Sequence, residues 1–234
     1  TVRDLASLGF SLLEFSQGGY TVGDLRQAGY TLQDFYKAGF SVATLREAGY
    51  GIKALAAQGY TLAQLNDGGF SIKALMASGY SLKDLAKANI SAAKIKAAGF
   101  DAAALKRAGY DLEALKAAGF DVQSLQVLGY TLAQLYDAGF TAKQLYEGGF
   151  SIADLRKIGI TLRVFKALNL PVSALLASGY TPKALLVAGY GIADLVKGGL
   201  SSAQLSELGY TVGDLKKAGL SVSDLVAAGY TLAE

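Results

Sequence analysis

Near the start of the chain, carboxylates recur at one spacing: Asp4, Glu14, Asp24 and Asp34 stand ten residues apart. Held in register, such a column could support paired-carboxylate acid–base chemistry or collect a hard cation such as calcium. Either use needs groups converging from several directions, and one column does not converge. The rest of the inventory is narrower still. With no histidine and no cysteine, zinc sites, serine–histidine–aspartate triads and thiolate nucleophiles are out of reach. No catalytic, metal or cofactor-binding residue is therefore assigned, no cofactor is expected, and the chain reads as a non-enzyme.

Other residue sets invite chemistry and are weighed in the same way. Glycine doublets at Gly18-Gly19, Gly68-Gly69, Gly148-Gly149 and Gly198-Gly199 suggest a phosphate cradle, but no Lys-Ser or Lys-Thr follows in Walker spacing. Every tenth position carries a large apolar residue, with eleven tyrosines and seven phenylalanines that could stack bases or sugars. Lys94, Lys96, Lys106 and Arg107 add positive charge in mid-chain. Tyrosine exchanges there with Phe, Leu and Ile, so the ring body reads as packed and its hydroxyl as optional at the rim. Tyr36, Tyr136 and Tyr146 fall outside that column and are better candidates for surface contacts. A recurring threonine column hints at an ice-binding plane, yet its position also admits Asp101, Gly51, Gly191 and Pro171.

The element that must position all of these is a ten-residue repeat. The chain divides into 23 complete units and a fragment with no linker, one continuous array over residues 1–234. Its consensus is [S/T/D]-[V/L/I]-x-x-L-x-x-x-G-[Y/F], where positions 5 and 10 are the core. Position 9 is glycine in 21 units and asparagine at Asn89 and Asn169. Those two residue types share tolerance for positive φ, as a helix C′ position requires, and an apolar residue just after it completes a Schellman stop. Position 1 draws on the N-cap set, and the acids three residues later approximate a capping box. Pro182 falls at the first helical position, where a missing N–H costs nothing.

Charge placement tests the helix independently. Of 19 acids, 14 occupy positions 1, 3 or 4, and of 22 bases, 14 occupy positions 6 or 7, as the helix dipole favours. Each unit is expected to hold one helix from position 2 to about position 8. Helices this short are marginal alone, so each must borrow stability from its neighbours, and a small position 8 lets them approach. Odd and even units show no alternation, which points to one helix per repeat under a single screw operation.

The expected fold class is all-α, a single-helix decapeptide-repeat α-solenoid forming a right-handed superhelical rod. The competing fold is a pentapeptide-like β-helix, suggested by Leu5, Phe10, Phe15 and Tyr20. It would place Arg3, Lys53, Lys73, Lys83 and Arg163 in a dry interior.

Composition agrees with a packed, non-enzymatic array. Hydrophobic residues make up 52% and charged residues 18%, so disorder is excluded, and a net charge of +3 is too balanced to demand a polyanion. No apolar run is long enough to span a bilayer. The chain opens at Thr1 without a methionine and stops at Glu234 in mid-repeat, as an excerpt or processed piece would. TVRDLASLGF at one end and SVSDLVAAGY near the other match the interior units, so no capping repeat is visible. The expected function is structural or scaffolding, in a longer array or an end-to-end filament. Self-association or another protein is the expected partner, and nucleic acid is disfavoured. The alternatives are a solenoid that binds peptide, protein or nucleic acid, and a designed repeat protein; Asn89, Asn169 and Pro171 favour a natural source.

Overall fold

The computed structural model describes residues 7–230. Among them it contains 22 short α-helices, from Leu12–Gln17 to Val222–Ala227, and no strand. The chain is an all-α helical repeat array, and the β-helix is excluded. Two compact units, residues 1–120 and 121–234, are each built from the same repeat. Repeats are numbered below so that repeat 4 is residues 31–40.

Most helices are bounded by the residues the pattern requires. At Thr21, φ −77° and ψ 160° place the cap outside the helix, and its hydroxyl accepts the Asp24 amide at 3.2 Å. In return Asp24 Oδ2 accepts the Thr21 amide at 2.8 Å and the Thr21 hydroxyl at 2.7 Å. Aspartate, although shorter than glutamate, thus closes the full capping box, and Gln64, Gln134, Gln144 and Gln204 close it as well. At the other end the Gly29 amide donates to the Arg26 carbonyl and the Tyr30 amide to the Leu25 carbonyl, at 2.9 and 3.1 Å. This pair of bonds is the Schellman pattern. Asn89 and Asn169 take the same left-handed conformation, with φ of 56° and 54°. Most helices end at position 7; Ile52–Gln58 and Ala102–Ala108 reach position 8.

Packing supplies what two turns of helix lack. Position 5 is the innermost column, with Leu25, Phe35, Leu55, Leu105, Leu155 and Phe165 all at 0% exposure. Burying such a side chain is worth roughly 1.5–3 kcal/mol, comparable to the ordering entropy of a few residues. Within each unit a helix touches the next and the next but one. Tyr60 bonds back across 20 residues and Lys94 across 28, so the chain returns over itself after between two and three repeats. Successive repeats consequently meet different surroundings. Phe40 and Tyr60 are buried at position 10, whereas Tyr50 between them is only half-buried.

Position 8 explains three of the four glycine doublets. A Cβ on Gly68, Gly148 or Gly198 would overlap the side chain of Val42, Val122 or Val172, the position-2 residue 26 places earlier. The adjacent Gly149 meets nothing within 4 Å and is required instead by its φ of 101°. Neighbouring glycines thus answer to different constraints: one to close approach, the other to backbone conformation.

Candidate functional site

The carboxylate column does not form a site. Glu14, Asp24 and Asp34 each bond back to their own cap, at Ser11, Thr21 and Thr31, and Asp4 lies outside the described residues. Hydrogen bonds from the cap hydroxyl and amide hold the Asp24 and Asp34 carboxyls below the ordinary aspartate range; for Glu14 the backbone bond from Ser11 contributes most. No group of three or more metal-ligating side chains occurs among the described residues.

Aromatic rings at position 10 are held between repeats. The Tyr60 hydroxyl donates to the Phe40 carbonyl at 2.6 Å and that of Tyr110 to the Ile90 carbonyl at 2.5 Å. These hydroxyls therefore tie a repeat to the one two places earlier rather than reaching water. Burial raises the pKa of both phenols. Arg26 sits 5.2 Å from the Tyr50 ring, Lys96 4.5 Å from Phe120 and Arg156 4.7 Å from Tyr180. Arg46, Lys96, Arg156 and Lys166 also donate to the position-9 carbonyl 23 residues later. One base at position 6 thus serves both as a cation over a ring and as a clamp on the turn beside it.

The mid-chain basic stretch is likewise occupied. Lys94 bonds to Asn66 at 2.7 Å and to Asp67 at 3.1 Å, Lys96 is in the clamp just described, and Arg107 donates to the Ala103 carbonyl at 3.4 Å. Lys106 is also engaged. Of the position-6 tyrosines, Tyr36 is 39% exposed and packs edge-on against Tyr60 at 4.9 Å, Tyr136 is 41% exposed, and Tyr146 is half-buried. They do not gather into one patch.

A place that the repeat pattern did not single out lies between the helices Leu162–Ala167 and Pro182–Val187. There an open, shallow depression of about 690 Å³ is lined by Leu162, Ala184, Val187 and Ala188 together with Arg163, Lys183, Thr161 and Thr181. Val187 is 79% exposed. Thr161 makes no side-chain capping bond, and with Val164 at the third helical position the repeat has no side chain to complete a capping box. The sequence signal was available: Arg163 and Lys183 are bases at position 3, in the first turn, where the helix dipole favours acids.

The comparisons with known proteins bear on the repeat as a whole. The sequence matches a family described as a decapeptide repeat region over residues 1–71, 59–132, 119–192 and 169–234. No curated protein matches it.

Proposed function

The chain belongs to the decapeptide repeat family along its whole length, and from that premise we propose a non-enzymatic structural or scaffolding role, in a longer array or as a subunit that stacks end to end. One observation carries the proposal: recurring contacts between repeats join one position of the earlier repeat to a different position of the later one. The position-6 base reaches the carbonyl 23 residues later at Arg46 and Lys96 in one unit and at Arg156 and Lys166 in the other. The position-2 valine meets the position-8 glycine 26 residues later in the same sense. Each repeat thus offers one surface to earlier repeats and a different one to later repeats, and a contact of that kind extends without closing.

The carboxylates most suggestive of catalysis are spent on capping, which favours a role outside catalysis.

Sedimentation velocity across a wide concentration range tests the proposal. The expected outcome is a mass that rises with concentration. A single monomeric species at every concentration would remove the stacking role.

A further inference from the structure

We propose that the trough between repeats 17 and 19 is a docking site for an acidic, apolar peptide segment of another protein. The inference stands apart from the structural role proposed above, and either can fail alone. Three observations coincide in it. The apolar part of the lining is aliphatic, Leu162, Ala184, Val187 and Ala188, and Val187 exposes 79% of its surface to solvent. The lining also includes two bases, Arg163 and Lys183, and no carboxylate. Neither base has an ion pair, in contrast to Lys157, which bonds Asp154 at 3.0 Å. Finally, Thr161 keeps a hydroxyl that capping does not use, where Thr141 and Thr211 have theirs closed in capping boxes.

The bases matter most, because they stand beside an exposed apolar side chain with no carboxylate in the lining. A cation in the first turn opposes the helix dipole, at a cost of a few tenths of a kcal/mol or more. Bases at position 6 are favoured by that dipole and are clamped on carbonyls and rings, whereas Arg163 and Lys183 are spent on no such contact. Two unpaired cations beside an apolar lining complement a segment in which an aliphatic or aromatic side chain is flanked by Asp or Glu. The apolar side chain would lie on Leu162 and Val187, and the flanking carboxylates would meet the bases and the Thr161 hydroxyl. A single nucleic-acid strand fits less well, since no aromatic ring lines the trough to stack its bases.

The test is a phage-displayed random dodecapeptide library panned against the intact chain, followed by titration of the selected peptide with a fluorescent label. The expected selection is an apolar residue flanked by acids. Binding should fall about tenfold or more in the Arg163→Glu, Lys183→Glu double variant and comparably in Val187→Asp, a loss on the scale of one or two surface charge contacts. Lys53→Glu with Lys73→Glu, the same charge change in the other unit, should leave binding intact, and circular dichroism should show every variant folded. Selection of peptides without acids, failure to select any, or equal binding by the double variant would overturn the proposal. So would retention of a single-stranded oligonucleotide or of phosphatidylserine vesicles that depends on the same two bases and exceeds that of the peptide.

Discussion

Repeats 4 to 7 and repeats 17 to 20 are counterparts displaced by 130 residues, and they use the same apolar scaffold with different polar equipment. Phe35 packs edge-on against Tyr50 at 6.5 Å and Phe165 against Tyr180 at 6.2 Å. Arg26 lies 5.2 Å from the first of those tyrosines and Arg156 4.7 Å from the second. Gly68 admits Val42 as Gly198 admits Val172. In the earlier region Thr31 closes a capping box with Asp34, and buried Tyr60 donates to Phe40. In the later one Thr161 makes no cap bond, and Tyr190, equally buried, has a hydroxyl without a hydrogen-bond partner. Nothing in the structure explains why Tyr190 lacks the bond that Tyr60 makes. The pair teaches that the repeat is specified by its apolar columns and its left-handed stop, while capping and tyrosine hydrogen bonds are increments that an individual repeat keeps or forgoes.

If that is right, the largest mutational effects are equal in the two regions. Leu55→Ala and Leu185→Ala remove side chains with no exposed surface, and each should cost about 2–5 kcal/mol in urea unfolding. A much smaller loss at Leu185 would show the later region to be loosely packed. Next comes close approach. Gly68→Ala and Gly198→Ala should each destabilise by roughly 1–3 kcal/mol through overlap with Val42 and Val172. Combining them with Val42→Ala or Val172→Ala should recover part of the loss, and strictly additive costs would rule out the contact.

The polar substitutions should separate the regions. Thr31→Ala is expected to cost about 1 kcal/mol and Tyr60→Phe a similar amount, since each breaks a bond that is made. Thr161→Ala and Tyr190→Phe should cost close to nothing, and Tyr190→Phe can stabilise by removing a buried hydroxyl that lacks a partner. Equal costs in the two regions would contradict the comparison.

The smallest effect is a pH dependence confined to repeats with an acidic box. Glu14, Asp24, Asp34, Asp84, Asp154, Asp214 and Asp224 have pKa values lowered mainly by hydrogen bonds from their caps. A lowered folded pKa contributes stability that is present above the ordinary carboxylate range and lost as pH falls through the folded value. Melting followed by circular dichroism should therefore weaken on acidification below about pH 4. Asp24→Gln, Asp34→Gln and Asp84→Gln together should flatten that decline, because glutamine already closes the box at Gln64 and Gln134 without titrating. An unchanged decline would place the acid sensitivity elsewhere.

Much of this fold was legible because one residue type at position 9 had a single physical explanation. Asn89 and Asn169 in place of glycine identified positive φ, and the structure has it at both. The capping boxes and the helical period followed from the columns on either side. Contacts between repeats were not legible, because a sequence column names the residue that is small or large but not the partner it meets. Gly68 announced a tight spot; only the structure shows that Val42 fills it. The tyrosine hydroxyls of Tyr60 and Tyr110 were misjudged for the same reason, since their acceptors are backbone carbonyls, which every residue carries. The trough at Arg163 and Lys183 was missed because bases at position 3 recur in several repeats, as at Lys53, Lys73 and Lys83, and the column does not say which of them stand beside an exposed apolar side chain.

The central claim is that a two-turn helix here is stable only through the next repeat and the next but one. Circular dichroism of nested pieces from one unit tests it most directly: residues 51–60, 41–70 and 41–120. The account predicts no helix in the single repeat, marginal helicity in the three-repeat piece and cooperative melting in the eight-repeat piece, at a temperature that rises with repeat number. A fully helical single repeat, or a melting temperature that does not change with length, would contradict it.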